Sequence, residues 1–113
     1  MSSRCSPVFA TALVSGWVVA PVRADSITDD NVVEAVSAAK TPADHQALAA
    51  YFTAKAEAAG AQGERHTRMA AAFSGKGHEN MQMHCKALAR TSKEQAKDYT
   101  ALAKEQEKLA GGK

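Results

Sequence analysis

The side chains best suited to chemistry crowd into residues 66–85, which hold His66, Met69, His78, Met81, Met83, His84 and Cys85. His66 and Met69 stand three apart, and Met81 stands three before His84 and four before Cys85. On helices those spacings place side chains on a shared face. Imidazole, thioether and thiolate together form a soft donor set, suited to Cu(I) and, with fewer thioethers, to zinc. The expected metal site is therefore His66, Met69, Met81 and Cys85, with His84 as substitute or supporting donor and copper as the expected ion. Haem held by a His and a Met or Cys is a weaker variant, and the C-x-x-C-H signature of covalent haem is missing from the sequence. A reading without metal competes with this one. Met69 and Met81 then fill gaps along a helix seam, Cys85 is a small buried hydrophobe, His66 bonds to a partner's Gln95 or Tyr99, His78 is a polar turn residue, and Met83 faces water.

Other chemistry has little to stand on. Asp44 and His45 are adjacent, and adjacent helical residues point apart, so capping by Asp44 and seam packing by His45 are expected instead of a dyad. Asp44, Glu57 and Glu64 lack the Glu-x-x-His pattern of a di-iron bundle. Ser74-Gly75-Lys76-Gly77 matches a phosphate loop in composition alone, without the strand before it or the required spacing. No hydrolytic triad or paired catalytic carboxylates can be assembled, so a role by binding or assembly is expected and not catalysis.

The elements that must position these residues read as helices. Asp29 to Lys40 carries Val32, Val33 and Val36 at helical spacing after an acidic first turn, which predicts a short helix over about 29–40. Thr41-Pro42-Ala43-Asp44 predicts a capped helix start, with Thr41 as cap, Pro42 at the first position and Asp44 closing a capping box. From there to about Phe73, His45, Phe52, Ala59, His66 and Phe73 recur at intervals of seven, with Leu48/Ala49, Ala56, Gly63 and Met69/Ala70 between them. That is the pattern of a narrow coiled-coil seam. Gly60 and Gly63 mark a kink or a close approach of another helix. After the break at residues 74–77, Met81, Leu88, Gln95, Leu102 and Leu109 repeat by seven, with Cys85, Ser92, Tyr99 and Gln106 between them, and Gly111-Gly112 ends the run at about 110. Two helices of about 32 residues, each roughly 48 Å long, joined by a short Gly-rich turn predict a long antiparallel αα-hairpin, an all-α fold with a short N-terminal helix. A symmetric register about the turn sets Phe73 across from Met81, Met69 from Cys85 and His66 from Leu88.

The seam of that hairpin is poor in large apolar groups, and small residues bury little area. Dimerisation of two hairpins into a four-helix bundle is the expected remedy, and a marginal three-helix monomer is the alternative. The outer face of the last helix mixes Lys86, Arg90, Lys93, Glu94, Lys97, Asp98, Lys104, Glu105, Glu107 and Lys108, which reads as a solvated face.

Residues 1–24 read as an export signal. Arg4 precedes a mostly apolar run from Pro7 to Ala20, and Val22-Arg23-Ala24 before Asp25 fits a small-residue cleavage site. The run is short of the roughly 20 residues of a permanent span, although an uncleaved anchor is the alternative. Cys5 precedes the run, misplaced for a lipoprotein anchor. Cleavage leaves a single domain at 25–113 with 12 basic and 12 acidic residues, and Cys85 as its one thiol. An unpaired thiol in an oxidising compartment points to an intermolecular disulfide, a metal ligand or an inert buried group. A balanced charge makes nucleic acid an unexpected partner.

At T-P-A-D-H-Q-A-L-A-A-Y-F (41–52), H-T-R-M-A (66–70) and M-x-x-H-C-x-x-L-A (81–89), the chain resembles small exported bacterial helical proteins of uncharacterised function. The resemblance covers residues 41–110. It implies an exported helical hairpin and attaches no activity. The two expected functions are a periplasmic or secreted copper-binding protein, and a cofactor-free interaction module that dimerises through its Ala-rich seam.

Overall fold

Capping chemistry sets where the first long helix begins. In a computed structural model, which describes residues 26–75 and 77–111, the Thr41 hydroxyl accepts from the Asp44 N–H at 3.1 Å while an Asp44 carboxylate oxygen accepts from the Thr41 N–H at 3.2 Å. This reciprocal box, with Pro42 at the first position, starts α2 (Pro42–Ala72). It follows α1 (Val32–Ala38) and precedes α3 (Glu79–Gly111), and no strand occurs among the described residues. The expected export signal at residues 1–24, with Cys5 inside it, lies outside the described residues, as do Asp25, Lys76 and the last two residues.

α1 begins later than its sequence suggests because Asn31 is spent on the turn before it. The Asn31 amide oxygen accepts from the Thr28 N–H at 2.8 Å and its amide nitrogen donates to the Ser26 carbonyl at 3.0 Å. Val32, Ala35 and Ala39 pack against the core, while Val33 and Val36 remain exposed.

α2 and α3 pack along their lengths as a helical hairpin. The turn closes through Gly75 and Gly77, whose φ of 133° and 90° would strain any residue with a Cβ. The hairpin closes tighter than expected, in a register symmetric about residues 74–77 themselves. The Phe73 ring meets His78, with centroids 5.9 Å apart, and not Met81. The Gln82 amide donates to the Ala70 carbonyl at 3.1 Å, and His45 Nδ1 pairs with Gln106 Oε1 at 2.8 Å.

The larger departure is in the phase of α3. Its half-buried and buried positions run Gln82, Cys85, Ala89, Ser92, Ala96, Tyr99, Ala103, Gln106 and Ala110, an alternation of three and four along the whole helix, with half-buried Ala87 alone off that stripe. The row Met81, Leu88, Leu102 and Leu109, expected in the seam, is instead 44%, 49%, 43% and 53% exposed. Small residues explain the choice. At the middle of α2, a Cβ added to Gly63 would stand 3.1 Å from Lys93 Cγ and 3.5 Å from both the Ala89 carbonyl oxygen and Ser92 Cβ, so the two backbones nearly touch there. A leucine facing α2 would hold the helices apart. Gly60 has no such neighbour within 4 Å, so of the two mid-helix glycines Gly63 alone marks close approach.

The cluster of large groups sits at the end away from the turn. Ile27, Ala47, Leu48, Phe52 and Ala103 are buried together, with Tyr51 and Tyr99 against them. Phe52 stacks on Tyr99 at 6.2 Å and meets Tyr51 edge-on at 5.3 Å.

Candidate functional site

The turn half of the hairpin holds the sequence's soft donors, and packing sorts them into three environments. Cys85 is a buried free thiol on the seam. With Gln82 bonded to Ala70 and Gly63 set against Ala89 and Ser92, His66 falls at the level of Cys85 and Ala89. His66 is half-buried, and its Nδ1 is wholly buried with no hydrogen-bond partner. Met69 and Met81 occupy the adjoining heptad position on each helix and are 43% and 44% exposed. His84 and Met83 are exposed, and His78 lies in the turn against Phe73.

The packing therefore brings His66 and Cys85 to one level of the seam, leaves Met69 and Met81 at its edge, and turns His84 outward. Among the described residues no three His, Cys, Asp or Glu side chains stand close enough to hold a metal ion. Any soft-metal chemistry here must draw on the two thioethers beside one imidazole and one thiol. His66 is the exception on its helix: His45, at the equivalent repeat position three heptads nearer the start, has its Nδ1 matched by Gln106.

A polar cluster outside the sequence's shortlist holds α1 to α2. Lys55 Nζ reaches the Asp29 carboxylate at 3.0 Å, the Tyr51 hydroxyl donates to the same carboxylate, and the Lys55 ammonium sits 5.8 Å from the Tyr99 ring centre. The Tyr51 hydrogen bond, followed by Lys55, lowers the Asp29 pKa from its usual 3.8. Burial first, then the bond to Asp29, pushes Tyr51 up to about 12. Nothing in the spacing of Asp29, Tyr51 and Lys55 announces this cluster, because it depends on how the short helix folds back.

Two surfaces flank the seam, and Met81 is the one expected metal donor that either of them carries. One carries the exposed Met81, Leu88, Leu102 and Leu109 row. The other is a groove of about 570 Å³ between α2 and α3, floored by alanines and bordered by Lys86, Arg90 and Lys93. In sequence these cations resemble a solvated face, since the alanine trough beside them exists only once the helices pair. Comparisons of the chain with family models, curated proteins and solved structures found no match. No helix among the described residues is long and apolar enough to cross a membrane.

Proposed function

We propose that the protein is an exported, cofactor-free interaction module that dimerises, two hairpins joining into a four-helix bundle. Export rests on the charged start, short apolar run and small-residue cleavage pattern of residues 1–24. The observation that carries dimerisation is the exposed row of Met81, Leu88, Leu102 and Leu109, broken only by Gln95. The row runs about 42 Å along α3 at strict heptad spacing, and exposed apolar groups aligned on one helix face mark a contact surface. The Ala-rich seam first expected to join two copies is already filled within one hairpin, so the leucine row takes that role.

The row is self-complementary when two copies of α3 run antiparallel. A twofold axis at Gln95 sets Met81 against the partner's Leu109 and Leu88 against the partner's Leu102. His84, Thr91, Asp98 and Glu105 follow the row at its outer edge. Antiparallel pairing brings His84 to the partner's Glu105 and Thr91 to the partner's Asp98, whereas parallel pairing sets Asp98 and Glu105 against their own copies. Like charges so placed disfavour the parallel form.

Sedimentation equilibrium in the micromolar range tests this. A dimer is expected, and Leu88→Asp with Leu102→Asp should give a helical monomer, because both side chains lie outside the hairpin seam. A wild-type chain that stays monomeric throughout that range overturns the reading.

The copper reading rests on a separate observation, the buried and unpartnered His66 Nδ1 at the level of buried Cys85. With Met69 and Met81 beside them, these residues form a donor set suited to Cu(I). Anaerobic titration with Cu(I) decides between outcomes: stoichiometric uptake lost in His66→Gln with Cys85→Ser supports a copper protein. No tight uptake by the wild-type chain removes that reading and leaves dimerisation untouched.

A further inference from the structure

We infer that the groove beside Lys86, Arg90 and Lys93 binds a single, water-dispersed amphiphile with an anionic head group. The groove lies on the side of α3 away from the leucine row, so this inference and dimerisation stand or fall separately. Its volume of about 570 Å³ is within the range of small-molecule sites, roughly 300–1,000 Å³.

Floor and rim have opposite characters. The floor consists of methyl groups, from buried Ala70 and Ala89 and from exposed Ala71 at its edge. Backbone carbonyls that would repel an anion are covered nearby: Gln82 Nε2 donates to the Ala70 carbonyl at 3.1 Å, and the Thr67 hydroxyl donates to the Gly63 carbonyl at 2.9 Å. What remains for an incoming chain is apolar surface without an unmet acceptor at those two points.

The rim cations are spaced four and three residues apart, which puts them on one side of α3. None of the three forms an ion pair among the described residues, and Glu94 is the one acidic side chain on the lining. The Lys93 stem lies against Gly63, its Cγ only 3.1 Å from where a Cβ would be, so this lysine rises along the groove wall. An unneutralised cationic edge over a methyl floor matches a carboxylate or similar anion at one end of an alkyl chain. The floor is concave and its lining contains no aromatic side chain. A lipid bilayer, which is flat and favours bulky apolar groups next to cations, fits that shape poorly.

Calorimetric titration of the purified protein with dodecanoate below its micelle concentration tests the inference. Saturable binding of one dodecanoate per chain is expected, weakened several-fold by each pair of methylenes removed from the alkyl chain. Ala71→Phe fills the groove from an exposed position, and Lys86→Gln with Arg90→Gln removes the head-group contacts. Each should weaken binding by about tenfold or more, with the helical circular dichroism unchanged. The inference is overturned by no saturable binding, by equal binding of dodecyltrimethylammonium, or by unchanged affinity in both variants. Capture of the protein by phosphatidylglycerol vesicles without binding of monomeric dodecanoate overturns it too, and identifies a membrane surface instead.

Discussion

At the end of the hairpin where α2 begins and α3 finishes, large side chains do the packing: Leu48 is 1% exposed, Phe52 stacks on Tyr99, and Ile27 from the segment before α1 closes the cluster. Toward the turn, the buried positions are Ala59, Gly63, Ala70, Cys85, Ala89 and Ser92. The first end is held by buried area. The second is held by close backbone approach and the tight Gly75–Gly77 closure, with little apolar area to spend. The expected metal donors His66, Met69, Met81, His84 and Cys85 and the alanine-floored groove lie in that second half. Large groups would have filled the groove, so the thin packing that weakens this end is also what leaves the groove open.

The contrast can be broken most severely at Leu48. Leu48→Ala should cost about 2–5 kcal/mol, as for other fully buried leucines, and should lower the urea midpoint of the whole chain. A loss under 1 kcal/mol would mean that the aromatic cluster is not the stability centre. Gly63→Leu attacks the other half by forcing α2 and α3 apart, and overpacking of this kind costs about 1–3 kcal/mol. Hydrogen exchange should locate that loss around residues 59–92 while leaving Phe52 and Tyr99 protected. If both ends lose protection equally, the two halves are one cooperative unit.

His66→Leu sharpens the comparison in the opposite direction. Removing a buried nitrogen without a partner should stabilise the metal-free chain by about 1 kcal/mol, a gain readable as a rise in Tm. The same change at His45 breaks its bond to Gln106 and should destabilise instead.

The smallest effect concerns α1. Asp29 titrates below its usual 3.8 when folded, so its contribution is present above that pH and fades as acid protonates the carboxylate. Tyr51 is raised to about 12, so its contribution is complete below its usual 10.0 and fades as alkali approaches the higher value. Protection of α1 amides should therefore be greatest between about pH 4 and pH 10 and fall at both extremes, with α2 and α3 still helical. Asp29→Asn should flatten the acid limb. An acid limb retained in that variant would place the titrating group elsewhere.

Much of the architecture is legible in local chemistry. The Thr41–Pro42–Asp44 start, the glycine break and the seven-residue period are each decided by neighbours a few residues away, which is why the helical hairpin can be read directly. The candidate site was legible as a list of donors but not as an arrangement. Cys85 and His66 meet the interior, while Met81, four residues from Cys85 and on the same broad face, stays at the edge. Lys86, Arg90 and Lys93 read as ordinary surface charges until an alanine trough forms beside them.

α3 shows the dividing line. Its sequence contains two heptad rows side by side, Met81-Leu88-Leu102-Leu109 and Cys85-Ser92-Tyr99-Gln106, with identical period. Periodicity determines that a helix with a contact face must form, yet it weighs both rows alike and favours the more hydrophobic one. Only the pairing with α2 chose between them. Around Gly63 the backbones approach to a distance that Cys85, Ala89 and Ser92 can occupy and leucines cannot, while at the far end the same face brings Tyr99 onto Phe52, so that face went inward and the leucines were left facing out.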